Sequence, residues 1–142
     1  MRQAVDYWLG LRGARRFPTR GEIHPRDIKA ILPNLLLIRV LDAGADFEFR
    51  IAGDVQRQTF TLDFSGRRMS ELIGSSPVYG HALRGLYRYV TESGEPVALR
   101  GNFGPGFEHV TINYCESASF PLGQDDVVDH LLCVTAFVGK TG

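Results

Sequence analysis

Residues 127–138 read Val-Val-Asp-His-Leu-Leu-Cys-Val-Thr-Ala-Phe-Val, and the stretch 131–138, LLCVTAFV, decides the fold. Apolar residues occupy both of its parities, and a strand apolar on both faces is covered on both sides and lies inside a sheet. Working backwards, residues 123–126 form a turn. Residues 107–122 read as a long strand in which Val110, Ile112, Tyr114, Ala118 and Phe120 share a parity. Residues 96–103 make another strand, joined to it through Gly104-Pro105-Gly106. Three strands therefore close the chain, and the last is expected in the middle of the sheet.

Upstream, residues 77–92 carry helical spacing. Val78, Ala82, Leu86 and Tyr89 form a stripe, widened by Leu83, Tyr87 and Val90, and Ser93-Gly94 ends the helix. Residues 54–74 show short, broken patterns, with Gly66 interrupting and Met69, Leu72 and Ile73 packing as a helical turn or two. Residues 46–52, DFEFRIA, alternate, setting Phe47, Phe49 and Ile51 on one face of a half-buried strand. The run 35–41 is its hairpin partner across the turn 42–45. A short helix starts near Pro25 and stops before Pro33. Residues 13–22, GARRFPTRGE, read as a basic loop after an N-terminal helix bearing Ala4, Val5, Trp8, Leu9 and Leu11 on one broad face. The order is helix, two strands, short helices, one longer helix, three strands. It fits an α+β fold with a five-stranded antiparallel sheet, helices on one face and a flanking N-terminal helix.

A chain of 142 residues suits one domain with a real core. Its 44% hydrophobic and 23% charged residues exclude global disorder. With 16 basic and 16 acidic residues there is no overall field to draw nucleic acid or anionic lipid. Cys115 and Cys133 lie in apolar strand-like runs, as small buried hydrophobes rather than a disulfide. No segment approaches the ~20 apolar residues of a membrane span, and the first residues lack the apolar core of a signal peptide. A cytoplasmic location is the expectation.

Particular residues carry a resemblance. Tyr7-Trp8, Leu11-Arg12-Gly13 and Arg16-Phe17-Pro18-Thr19-Arg20, then His24-Pro25-Arg26-Asp27-Ile28, Leu32-Pro33, Phe49-Arg50-Ile51-Ala52-Gly53 and Asp63-Phe64-Ser65-Gly66, resemble a bacterial PAS-like domain subfamily from residue 7 to about 138. Two positions depart from its pattern: Thr61 stands where a glycine is usual, and Arg39 where an Asp is common. The resemblance implies one PAS-type domain over 1–142, with a helical extension at 1–33 and the PAS core at 34–138. It also implies a sensory or adaptor role, dimeric and non-catalytic, signalling through protein contact.

In such a fold the cavity lies between the sheet and the long helix, and Phe49, Ile51, Phe60, Leu72, Leu86, Tyr89 and Ile112 are the expected lining of a site for a small apolar ligand. Neither cysteine stands in the helical Asn-Cys-Arg-like motif of flavin-reactive PAS domains, so covalent flavin chemistry is not expected. His81 lies on the long helix, where haem-binding PAS domains often place a ligand. Its neighbours three and four residues on are Arg84 and Gly85, away from the apolar stripe, so haem ligation is not expected either. His24, His109 and His130 lack partners at metal-site spacing. No nucleophile elbow or phosphate loop occurs. The inward parities read as apolar, which argues against an enzyme on a cone-shaped α+β fold. Tyr7, Trp8 and Leu11 on the first helix either pack back on the chain's own sheet, covering the other face of the last strand, or form a homodimer contact. Arg15, Arg16 and Arg20 are a candidate docking loop for another protein.

Overall fold

The coordinates, a computed structural model, describe residues 1–59, 65–75, 77–102 and 112–139. Helix α1 (Arg2–Arg12) stops at Gly13, whose φ of 58° is left-handed. Three short 3-10 turns lead to strand β1 (Leu35–Leu41). A tight turn through Asp42, Ala43 and Gly44, all at positive φ, reverses the chain into β2 (Asp46–Ala52). Helices α2 (Asp54–Thr59), α3 (Met69–Ser75) and α4 (Pro77–Ser93) follow, then β3 (Val97–Asn102), β4 (Ile112–Gln124) and β5 (Val127–Gly139). The expected Gly104-Pro105-Gly106 turn and Val110 lie outside the described residues.

The sheet runs β2-β1-β5-β4-β3, antiparallel throughout. The C-terminal strand is thus central, as its two apolar parities require. One face receives α3 and α4, and the other receives α1. Trp8 on α1 is 1% exposed; its Nε1 donates to the Pro121 carbonyl at 2.9 Å, and its ring lies 5.6 Å from that of Phe120. One continuous core joins Ala4, Trp8 and Ile28 of the N-terminal segment to Leu132 and Val134 of β5. Among the described residues no helix is long and apolar enough to cross a membrane.

Two expectations about facing are corrected. First, β2 does not keep its alternation to the end. Ile38 pairs with Phe49 and Leu37 with Ile51, so Arg50 is an extra residue bulged out of the ladder. The bulge reverses the parity, leaving Phe47 and Phe49 under the helices while Ile51 turns to the opposite face, 45% exposed. Second, α4 is rotated from the expected stripe by about one residue, ~100°. Tyr79, Gly80, Tyr87 and Val90 are buried, whereas Val78 and Tyr89 are 51% and 59% exposed. Two contacts set this rotation. Tyr87 meets Phe47 edge-on at 5.7 Å. Gly80 packs so tightly on α3 that a Cβ there would sit 2.8 Å from the Ile73 Cα.

Candidate functional site

A cavity of about 320 Å³ opens between α4 and the sheet face built by β3, β4 and β5. Tyr79, Leu83, Leu86 and Tyr87 of α4 form its apolar wall. Strand register sets the floor. Ser117 stands opposite Thr135, Cys115 opposite Phe137 and Ser119 opposite Cys133, all on the parity that faces α4. Gly101 and Leu99 of β3 continue the same rows.

The floor therefore sets short hydroxyl side chains among Cys115, Cys133 and Phe137, a local exception to inward parities that are otherwise apolar, as expected. The Ser117 and Thr135 hydroxyls lie 3.1 Å apart. Deeper in, Cys133 Sγ donates to Ser119 Oγ at 3.3 Å, both residues fully buried. Gln56 of α2, 1% exposed, also lines the cavity and donates through Nε2 to the Asn34 carbonyl at 2.9 Å. Asn34 Nδ2 in turn donates to the Thr135 carbonyl at 2.9 Å. A chain of hydrogen bonds thus runs from α2 through the start of β1 to the floor.

Burial suppresses ionisation here. Desolvation holds the Tyr79 and Tyr87 phenols well above their ordinary range. It pushes the Cys133 thiol up to about 12 and raises that of Cys115. Thiols and phenols alike stay protonated at neutral pH, so neither cysteine is an activated nucleophile. Cys115 and Cys133 sit on adjacent strands four positions out of register, ~13 Å along the strand direction, too far for a disulfide. Arg100 is the charged residue of the described lining. Its pairing with Glu116 puts its side chain on the opposite sheet face, leaving its backbone and stem at the cavity rim. The described lining holds neither carboxylate nor imidazole. Such a lining offers apolar contact and neutral hydrogen-bonding groups.

Of the expected lining, Leu86 is on the cavity wall. Phe49 and Leu72 are buried in the core, 1% and 4% exposed. Ile51 and Tyr89 point outwards for the reasons given above. Phe60 and the Ile112 side chain lie outside the described residues. His81 is exposed on the far side of α4. Among the described residues no group of three His, Cys, Asp or Glu could hold a metal ion.

The expected interface residues are mostly engaged within the chain. Trp8 is buried against the chain's own sheet, one of the two places the sequence allowed it. Tyr7 is half-buried, its hydroxyl accepting from the His24 backbone N–H at 3.0 Å, and Leu11 packs partly buried on the core. Arg15 grips Glu22 with two bonds of 2.8 and 2.9 Å. This pairing, with the Thr19 N–H, lowers the Glu22 carboxyl to about 2. Arg16 donates to the Ser93 carbonyl at 2.7 Å and lies over the Phe17 ring. Arg20 is half-buried. The basic loop therefore fastens itself to the fold.

The residues that sequence reasoning missed are Ser117, Thr135, Ser119 and Gln56. A signal for the first three was present: they alternate with Ala118, Phe120 and Val134 on strands whose two faces are both covered. A family model described as a PAS domain matches residues 1–89, from α1 into α4. No curated protein matches the chain.

Proposed function

The chain belongs to the PAS domain family, whose members are sensory and regulatory modules, and from that premise we propose that it binds a small molecule between α4 and the sheet and passes the change on through protein contact. The observation that carries this reading is the 320 Å³ cavity, which lies within the size range of small-molecule sites. A ligand favouring one packing of α4 over another shifts the population by its difference in affinity. In this reading residues 1–33 and 34–138 act as one unit, without catalysis, as a homodimer in the cytoplasm. The shared core of α1 and the sheet supports the single unit.

The test is thermal denaturation and native mass spectrometry against a small-molecule panel. A ligand at a hundred times its dissociation constant stabilises by about 2.7 kcal/mol, a readily measured rise in Tm. Leu86→Trp fills the cavity from its wall and should abolish the effect of any true ligand. A panel in which nothing binds, or a hit indifferent to Leu86→Trp, defeats the reading.

One observation favours a second reading, a ligand-free adaptor. Val78 and Tyr89 on α4 are large apolar side chains 51% and 59% exposed. An adaptor that docks through them loses its partner on Tyr89→Glu and keeps it on Leu86→Trp.

A further inference from the structure

Resting on the reading of the cavity as a ligand site, we infer that its ligand is an uncharged two-ring compound carrying a hydroxyl or carbonyl, which the Ser117–Thr135 pair recognises. Size comes first. A cavity of 320 Å³ lies at the small end of small-molecule sites, the scale of two fused rings. Shape and polarity come next. The wall of Tyr79, Leu83 and Leu86 offers an apolar surface to one side of such a molecule, and the floor offers hydroxyls to its edge.

Hydrogen-bonding capacity selects the polar group. Each hydroxyl has one donor and two acceptor positions. The 3.1 Å contact between Ser117 and Thr135 uses one donor and one acceptor of the pair. One donor and further lone pairs are left to meet a hydroxyl or a carbonyl. The described surroundings disfavour charge. The same desolvation that keeps the cavity's phenols and thiols protonated penalises any buried ion without a counter-charge. Arg100, the charged residue of the described lining, is committed by strand parity to the other face.

Three probes share one skeleton: naphthalene, 2-naphthol and 2-naphthoate. Calorimetry on the full chain should rank 2-naphthol first, with naphthalene about fivefold weaker for want of one hydrogen bond. Naphthoate should bind on the order of a hundredfold more weakly than 2-naphthol. Ser117→Ala/Thr135→Val should erase the preference for 2-naphthol over naphthalene. Ser117→Ala alone, at a half-buried position, should reduce it and serves if the double variant fails to fold. Naphthoate binding as tightly as 2-naphthol overturns the inference, as does a preference that survives these substitutions. So does the failure of all three probes. If other panel members still bind and are displaced by Leu86→Trp, the cavity stands as a ligand site and only the ligand class falls. If nothing binds at all, both fall.

Discussion

Trp8 offers the sharpest test, because the sequence leaves its indole to either the chain's own sheet or a partner. A free aromatic face on α1 would serve a partner; the structure buries that face against β4. Trp8→Ala removes a side chain 1% exposed, its bond to the Pro121 carbonyl and its contact with Phe120. Truncating a buried Trp costs about 3–5 kcal/mol, against a total stability of about 5–15 kcal/mol for a domain. Trp8→Phe keeps most of the ring but leaves the buried Pro121 carbonyl unpaired, a loss of about 1–3 kcal/mol. Leu9→Ala, one residue along at 43% exposure, should cost about 0.5 kcal/mol or less. The expected order of loss is Trp8→Ala, Trp8→Phe, Leu9→Ala, measured by urea denaturation followed by far-UV circular dichroism. The matching fall in Tm for Trp8→Ala is roughly 10–20 °C. Because Trp8 is the single tryptophan, its native emission should also be blue-shifted and move red on unfolding. A Trp8→Ala protein as stable as Leu9→Ala but reduced in oligomeric mass would refute the packing and restore the indole to an interface.

Three further outcomes follow from the geometry. The Glu22 carboxyl titrates near 4.3 when unfolded and near 2 when gripped by Arg15 and Thr19. A lowered folded value contributes stability that is complete above pH ~4.3 and is lost as pH falls towards ~2. Glu22→Gln should remove that part of the acid dependence between those limits, and an acid-unfolding curve unchanged by the substitution contradicts the pairing. Gly80→Ala should destabilise despite the ~1 kcal/mol gain in helix propensity, since overpacking costs about 1–3 kcal/mol and the new Cβ would meet the Ile73 Cα at 2.8 Å. A midpoint in urea raised by this change would show that α3 yields without cost. In native protein, Cys133 should resist a thiol-specific reagent that labels Cys115 slowly, and denaturant should release both. Prompt labelling of Cys133 would contradict a buried thiol raised to about 12.

Architecture was more legible than facing, for a physical reason. Element order and the central place of β5 depend on runs of residues, and the run 131–138 carries two apolar parities that only a doubly covered strand needs. Facing depends on single residues. At β2, one extra residue, Arg50, sends Ile51 to the other side of the sheet, and an alternating sequence gives no sign of it. On α4, apolar residues span such a wide arc that Val78-Ala82-Leu86-Tyr89 and Tyr79-Leu83-Tyr87-Val90 are both plausible inward stripes. The choice between them was made by neighbours distant in sequence, Phe47 and Ile73. Similarly, Trp8 could not be assigned to its own sheet until the carbonyl of Pro121 was known to lie within reach.

The polar floor follows from the same feature that revealed the sheet. If β5 is covered on both sides, its neighbour β4 lies under the same two covers over residues 118–122, where both parities are buried. The apolar parity of Ala118 and Phe120 meets α1 and its surroundings. The parity of Cys115, Ser117 and Ser119 then has nowhere to go but beneath α4. Small hydroxyls pack there without the bulk that would fill the space, and each finds a first partner across the strands while bonding capacity is left over. A cavity at that place is what short side chains under a helix leave behind. Filling Ser117 and Thr135 with larger apolar residues should therefore close the site without unfolding the sheet.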